Sequence, residues 1–448
     1  MSLRPYQQRA ISDLRAAYAS GKRAPLLVAP TGSGKTVIAA AIVAGAHARG
    51  NRTLFVAPRR ELLGQTVRKL ADAGITDVRV IQADRDVGDP DAMVTVGSIQ
   101  TLVLPRWIDS LPPAELVIAD EAHHMAADLW GQLATRYATA RWLGLSATPE
   151  RADGRALGDI FDAIVVGATV AELTSAGHLV PCKVWAPREE LDTGELAIDP
   201  VEAYATHGHG QLAVVFCSTV THARSVAESF TAAGIPGTAI SGSTPATERD
   251  RILADWGVGI VRVVANCGVL TEGFDLPQLA VCILARRFGH SGLFLQCVGR
   301  VLRPFPEKLQ ACVVDLCGSV HRHGPPALER MYNLTGKAIT AKRDAIRQCP
   351  SCGSVFLAAD TCPECGEVLP VRPREEPRVT GAGVVDIDSL PRARREYTIT
   401  IQAKWSAACR RCGGRILPGQ MMHWATQAKQ ATHFECPRPK QLSLGGDP

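Results

Sequence analysis

Residues 29–36 read A-P-T-G-S-G-K-T and residues 120–123 read D-E-A-H. Either string alone could arise by chance. In this order, each after an apolar run, they describe a site for a nucleoside triphosphate. Ala24 to Ala29 is predicted to be a buried strand, and Val37 to Ala48 an alanine-rich helix. In the turn between them, Gly32 and Gly34 let successive N–H groups converge on one point, and the helix N-terminus adds partial positive charge there. Thr31, Gly32, Ser33 and Gly34 would wrap the phosphates, Lys35 would reach the outer ones, and the Thr36 hydroxyl would hold Mg²⁺. The second string follows L-V-I-A at 116–119. Asp120 is expected to bind Mg²⁺, and Glu121 to orient and deprotonate the attacking water. The site therefore calls for ATP and Mg²⁺.

Working outward, 448 residues are enough for two or three domains. A hydrophobic content of 46% with 21% charged residues fits globular domains with large cores. No apolar run approaches the ~18–20 residues that span a membrane, and M-S-L-R-P-Y-Q-Q-R-A is not a secretion signal. A cytoplasmic location is the default expectation. Residues 325–448 hold 18 Lys/Arg against 12 Asp/Glu, so the excess positive charge lies in the C-terminal part. That suits a polyanionic partner, and equally a solvated tail.

Short apolar runs alternate with helical patterns through residues 1–186: Thr53–Ala57, Val78–Gln82, Met93–Val96, Leu116–Ala119 and Trp142–Ser146. A second series occupies 211–324, and a Pro/Gly-rich stretch at 187–210 reads as a linker. Alternation of this kind predicts α/β domains with parallel sheets. Residues 325–348 are expected to be a helical connector and 370–400 a flexible linker. Seven of the 14 cysteines (Cys182, Cys217, Cys267, Cys282, Cys297, Cys312 and Cys317) are scattered through apolar surroundings and read as buried thiols.

The other seven cysteines cluster after residue 348, six of them in C-x-x-C pairs and Cys436 in H-x-x-C. Cys349, Cys352, Cys362 and Cys365, within 349–369, form two C-x-x-C knuckles whose four thiolates suit a closed structural Zn²⁺ site. In 401–440, Cys409, Cys412, His433 and Cys436 would make a second, Cys₃His site, with His423 the competing imidazole. Arg410, Arg411 and Arg415, with Trp405 and Trp424, would make this module a nucleic-acid surface; a protein-docking module fits as well.

The chemistry also asks for a second lobe. Charge on a transferring phosphoryl group is stabilised by arginine. Arg300 and Arg303 share a helix face and would enter the ATP cleft if the lobes close. Within G-F-D at 273–275, Gly273 would permit a close backbone approach, and Asp275 would bind ribose or relay closure.

Several further stretches occur in the order found in one family. They are L-R-P-Y-Q (3–7), V-A-P-R-R-E-L-L-G-Q (56–65), T-V-G-S-I-Q-T-L (95–102), S-A-T (146–148), V-V-F-C-S-T (214–219), N-C-G-V-L-T-E-G-F-D-L-P (266–277) and Q-C-V-G-R-V-L-R-P (296–304). With the two opening motifs, they make residues 3–322 resemble the superfamily 2 helicases of the DEAH/restriction type. S-G-S-T-P-A-T-E-R-D (241–250) and the Cys-paired module resemble the RadD-like branch of bacterial and phage members. The resemblance implies two tandem RecA-like domains followed by small zinc-binding modules. It implies that Arg4 and Gln7 serve the adenine, and that His123, Ser146, Thr148 and Gln296 couple hydrolysis to movement. It further implies that Arg59, Gln65, Ser98, Thr101, Thr219 and Thr271 touch a nucleic-acid strand, although each of these equally fits a cap or a turn. Contacts of that kind position a strand without reading its bases.

The function expected is that of an ATP-dependent nucleic-acid helicase or translocase. Its substrate would be single-stranded or forked DNA in repair, recombination or phage DNA metabolism, with a single-strand-binding or repair protein as partner. RNA helicase, motor subunit of a restriction complex and a non-hydrolysing binding protein are the rival readings. Lys35, Asp120, Glu121 and Arg300 together argue against the last.

Overall fold

A computed structural model of the chain describes residues 2–58, 60–83, 85–124, 127–150, 156–188, 190–191, 194–271, 274–335, 339–340, 346–357, 359, 361–369, 398–403, 406–409, 414–418, 420–425 and 430–433. The chain divides into two compact units, Met1–Val371 and Arg372–Pro448.

The first unit begins with a sheet of β1 (Pro25–Val28), β2 (Thr53–Ala57), β3 (Val78–Gln82), β4 (Arg85–Val87), β5 (Val94–Ser98), β6 (Leu116–Ala119), β7 (Arg141–Ser146) and β8 (Ala163–Val166). The spatial order is β4-β3-β5-β2-β6-β7-β1-β8. All pairings are parallel except β3 with β4. The central strands are buried on both faces, which explains why they read as unbroken apolar runs rather than alternating ones. Helices α1 (Pro5–Ala19), α2 (Lys35–His47), α3 (Arg60–Asp72), α4 (Ile99–Leu102), α5 (Pro105–Ile108), α6 (Ala127–Arg136) and α7 (Val170–Ser175) complete this lobe. Helix α1 starts on a proline that needs no N–H partner. It buries Ala10, Ile11 and Leu14, spaced for one helical face.

The second sheet holds β9 (Cys182–Trp185), β10 (Ala213–Cys217), β11 (Gly237–Ile240), β12 (Val263–Asn266), β13 (Val281–Ala285) and β14 (Ala311–Asp315), ordered β11-β12-β10-β13-β14-β9 and all parallel. Helices α8 (Pro200–His207), α9 (Val220–Ala232), α10 (Ala246–Gly257), α11 (Ser291–Gly299) and α12 (Ser319–His323) belong to this lobe.

The domain boundaries differ from those the sequence suggests. Strand β9 lies within 1–186 yet forms the edge of the second sheet, its Cys182 and Val184 in register with Ala311 and Val313. The 187–210 stretch is not a free linker. Asp199 caps α8 by accepting from the Val201 N–H at 2.7 Å, and Ala203 and Tyr204 are buried in the core of the second lobe. The expected helical connector at 325–348 is absent among the described residues, which instead form β15 (Arg330–Met331) paired with β16 (Ile339–Thr340), and β17 (Ile346–Gln348). Pro325 and Pro326 withhold two amide donors from any helix. The buried Arg330 guanidinium holds the loop by donating to His323 O (2.7 Å) and Leu328 O (2.8 Å). The chain then returns to the first lobe, where Gly158 N–H donates to Leu334 O at 2.9 Å and Tyr332 and Leu334 pack on the core.

Strand β17 pairs with β18 (Val355–Leu357) in the Cys-paired module. This module is seated on the edge of the second lobe. Val355 is buried in that lobe's core, Ser354 bridges to Trp185, and Lys183 pairs with Glu364 at 2.6 Å.

In the second unit, β19 (Thr398–Gln402), β22 (Met421–Ala425) and β23 (Gln430–His433) form an antiparallel sheet beside a hairpin of β20 (Ala407–Ala408) and β21 (Arg415–Ile416). Ala403, Cys409, Ile416, Met422 and Ala431 form its small core. Most of the expected linker, residues 370–397, lies outside the described residues.

Candidate active site between the lobes

The parallel register brings the motifs together. Val28 of β1 aligns with Ser146 of β7, and Val56 of β2 with Ala119 of β6. The Gly-rich turn, D-E-A-H and S-A-T therefore all leave the sheet at its C-terminal edge, where ligands of open α/β sheets bind.

In the turn, Gly32 (φ +86°) and Gly34 (φ +79°) occupy the left-handed region. A Cβ on Gly34 would stand 2.7 Å from the Gln7 side-chain nitrogen. Helix α2 starts at Lys35, whose buried Nζ donates to Ala29 O (3.0 Å) and Pro30 O (3.4 Å). Burial pushes the Lys35 ammonium below its ordinary pKa, while Glu121 and Asp120 pull the other way. Ser33 Oγ, in the same turn, is fully buried with no hydrogen-bond partner. Together with Thr36 and Asp120, this donor set fits a triphosphate with its Mg²⁺.

Asp120 is buried, and its Oδ1 accepts from the Glu121 N–H at 3.0 Å. Glu121 adopts φ +47°, a strained value for a residue with a side chain. Its Oε2 lies 3.5 Å from His123 Nδ1. A relay then crosses between lobes. His123 Nδ1 is 3.1 Å from Ser146 Oγ, and His123 Nε2 is 2.8 Å from Gln296 Nε2 of α11. Ser146 Oγ donates to Thr148 O at 2.6 Å and accepts from Thr148 N–H at 3.1 Å. Its one proton is therefore engaged, so His123 donates through Nδ1 and accepts from the Gln296 amide. The structure thus brings together His123, Ser146, Thr148 and Gln296.

The second lobe closes the cleft. A space of about 750 Å³ is lined by Arg4, Thr31, Gly32, Gly34, Lys35, Thr36, Asp120, Glu121, Asp275, Arg300 and Arg303, together with Gln65, Arg68, Lys69, His178 and Phe274. Arg300 is buried. Its Nε and Nη2 donate to Thr271 O (3.0 and 2.6 Å), its Nη1 donates to Phe274 O (3.0 Å), and its guanidinium lies over the Phe274 ring. Arg303 donates to Phe274 O at 3.4 Å, pairs with Asp275 and has its Cγ beside Gly32. Buried Lys308 grips the Arg303 carbonyl at 2.8 Å and the carbonyls of Pro277 and Leu279.

The other candidates are divided between the cleft and the rest of the two lobes. Both ends of the Gln7 amide are engaged by backbone: Oε1 accepts from Arg4 N–H (2.9 Å) and Nε2 donates to Ser33 O (3.4 Å). Arg4 lines the cleft. Ser98 and Thr101 bond to each other at 2.8 Å, and Thr101 also accepts from Ala83 N–H. Both are buried, so these hydroxyls serve the fold instead of facing a strand. Thr219 is exposed and caps α9 by accepting from His222 N–H at 3.0 Å. Thr271 is buried and supplies the carbonyl that holds Arg300. Gln65 belongs to the nucleotide cleft, joined there by Arg68 and Lys69, which sequence reasoning missed. The spacing of Arg68, one helical turn after Gln65, was the available signal. Arg59 and Gly273 lie outside the described residues.

Cys349, Cys352, Cys362 and Cys365 present sulfurs within 4.8 Å of one another, with Cys349–Cys365 at 3.5 Å and Cys352–Cys362 at 3.7 Å. Tetrahedral zinc with bonds of about 2.3 Å sets sulfurs about 3.8 Å apart, so the four thiols fit that ion. In the second unit, Cys409 bridges to Ala431, two residues before His433 on β23. Cys412, Cys436 and the His433 side chain lie outside the described residues.

Comparison with known proteins agrees with this architecture. The family model for the type III restriction enzyme res subunit matches residues 1–151, and that for the helicase conserved C-terminal domain matches 197–304. The two matched segments lie in the two lobes that face the cleft, so both halves of the site fall within helicase-type family models. The chain is 28% identical over 377 residues to a 51.5 kDa protein of a Lactococcus phage, covering 78% of this chain and 79% of that protein. It is 28% identical over 381 residues to a Schizosaccharomyces pombe protein named as a mitochondrial ATP-dependent helicase, irc3, covering 76% of this chain and 63% of that protein. With the DNA 3'-5' translocase XPB2 of Sulfurisphaera tokodaii it shares 25% identity over 358 residues, covering 68% of this chain and 79% of that protein. Among solved structures, the restriction-modification enzyme LlaBIII bound to DNA superposes with a TM-score of 0.53 at 19% identity, covering 70% of this chain and 27% of that one. Saccharomyces cerevisiae Dbp5 bound to RNA superposes at 0.51 and 16% identity, covering 70% and 87%. At these identities the likeness is one of fold. Among the described residues, no helix is long and apolar enough to cross a membrane.

Proposed function

We propose that the chain is an ATP-driven motor of the RadD-like branch that moves along single-stranded or forked DNA. The observation that carries this reading is the cleft itself. One lobe supplies the phosphate cradle, Asp120 and Glu121, the other supplies Arg300 and Arg303, and the His123–Gln296 hydrogen bond joins them. In this reading, Thr36 and Asp120 hold Mg²⁺, which offsets phosphate charge. Glu121 takes the proton of the attacking water, and Arg303 meets the charge that develops on the transferring group. Any change in lobe spacing moves Gln296 against His123, and so reaches Ser146 and Thr148. The similarity to XPB2, a DNA translocase, favours DNA over RNA, while the basic C-terminal part suits either polyanion.

The deciding measurement is the rate of ATP hydrolysis with single-stranded DNA, forked DNA, duplex and single-stranded RNA at equal nucleotide concentration. Single-stranded and forked DNA should stimulate most, with stimulation falling steeply as salt rises, because phosphate contacts dominate such binding. Stimulation by RNA alone would transfer the reading to an RNA motor, and no stimulation by any nucleic acid would overturn it.

Both Cys modules are read as zinc-bound, so the purified chain should carry about two zinc ions. Cys362→Ser should reduce this to about one and lower the melting temperature of the second lobe, because Glu364 of the same knuckle is tied to Lys183 and Val355 is seated in that lobe's core. Elemental analysis and differential scanning calorimetry read the two effects. Unchanged metal content would remove the first module from the account.

A further inference from the structure

We infer that Glu150 is a positioning residue of the first lobe, holding the N-terminal end of helix α11 and thereby setting where Gln296 and Arg303 stand at the cleft. The inference rests on the motor reading for its consequence, and on the interface alone for its geometry.

Ser291, the first residue of α11, donates from Oγ to Glu150 Oε2 at 2.6 Å. Ser291 is buried, and Glu150 follows the S-A-T segment after one residue, Pro149. A carboxylate is favoured at a helix N-terminus, where unpaired N–H groups concentrate positive charge. The field at Glu150 comes from the second lobe and the segment after it: its charge is felt by His290, His323, Arg330 and Tyr332. It is thus a carboxylate of one lobe set among groups of the other.

The packing explains why such a contact is needed. Helix α11 meets the first lobe through two bare glycines, with the Gln296–His123 hydrogen bond between them. A Cβ on Gly292 would stand 2.7 Å from Thr148 Oγ1, and one on Gly299 would stand 2.7 Å from Thr31 Cβ. Glycines two turns apart let the helix approach closely but present no side chain that interlocks, which leaves the register to the Gln296–His123 hydrogen bond and to the Ser291–Glu150 contact at the N-terminal end. A slip of α11 would separate Gln296 from His123, now 2.8 Å apart, and would carry Arg303 away from Gly32.

The test compares Glu150→Ala, Glu150→Gln, Ser291→Ala and the double alanine variant, after confirming their melting temperatures. Each single alanine variant should lower kcat about tenfold, the scale of one charge-assisted hydrogen bond, with ATP affinity unchanged. The double variant should be no slower than the singles, because they remove one contact. Glu150→Gln keeps an oxygen acceptor for Ser291 but not the charge, and should recover part of the rate. Multiplying effects in the double variant, loss of ATP affinity in place of kcat, or no rescue by glutamine would each overturn the assignment. Amide exchange over residues 291–303 gives a readout that needs no hydrolysis. Exchange there should quicken in Glu150→Ala while β13 keeps its protection, and unchanged exchange rejects the latch. Wild-type protein that hydrolyses no ATP would refute the motor reading, and the exchange result would still decide the latch.

Discussion

Lys35→Ala should leave a folded protein that hydrolyses ATP at least ~10²–10³-fold more slowly, the usual loss when one preorganised charge facing a transition state is removed. The ammonium stands at the start of α2 with its Nζ bonded to Ala29 O and Pro30 O, directly beneath the glycine turn. Burial depresses its pKa, with Glu121 and Asp120 acting against that. Its charge is therefore held at a cost in solvation, which is what makes it effective toward phosphate. Removing it relieves that cost, so the melting temperature should move by no more than about 3 °C. Lys35→Arg should not restore turnover, because a planar fork does not replace a point charge inside a tight loop. Since the ammonium's pKa is lowered, its proton leaves as pH rises, and activity should fall on the alkaline side earlier than an ordinary lysine would allow. A steady-state ATPase assay with saturating single-stranded DNA, read beside a thermal melt, checks all of this. Wild-type turnover in the alanine variant would remove the proposed phosphate site.

The second large effect separates the two arginines. Arg303→Ala should reduce kcat by about 10³-fold, at the lower end for an arginine acting on a transferring phosphoryl group. ATP affinity and melting temperature should change little. Its side chain is 17% exposed, touches Gly32 and is paired with Asp275, which is 63% exposed and easily released. Arg300 is different. All three of its guanidinium nitrogens donate to carbonyls of Thr271 and Phe274, so Arg300→Ala strands two buried acceptors. That variant should lose stability together with activity. Single-turnover hydrolysis, nucleotide binding and calorimetry on both variants separate the cases. If Arg303→Ala retains kcat within about twofold while Arg300→Ala is stable and inactive, the catalytic role belongs to Arg300.

Much of the nucleotide site was legible because phosphate binding is local chemistry. The turn at 31–36 and the acidic pair at 120–121 are short segments at strand ends, and a parallel sheet places such ends side by side. The strands themselves were legible because burial on both faces leaves continuous apolar runs, as in Leu116–Ala119. Harder to read were residues whose partners come from far along the chain. The 325–348 segment has helical composition, yet two prolines and the carbonyl grip of Arg330 make it a strap of short strands. Ser98 and Thr101 are polar in a motif expected to touch a strand, yet their hydroxyls face each other. Gln7 sits in a segment that resembles an adenine reader, yet its amide is held by Arg4 and Ser33.

By itself the sequence determined that two α/β domains share one chain, that the first carries a phosphate cradle, and that four cysteines could close on one metal ion. Spacing along the chain is enough for those conclusions, since each depends on residues a few positions apart. Only the tertiary structure decided that β9 and α8 belong to the second lobe, that the Cys₄ module is seated on Lys183 and Trp185, and that Arg300 is held by backbone carbonyls while Arg303 stands beside Gly32. Those outcomes depend on which side chains find partners beyond their own element, from the next motif to a strand across the lobe, and no local pattern carries that information.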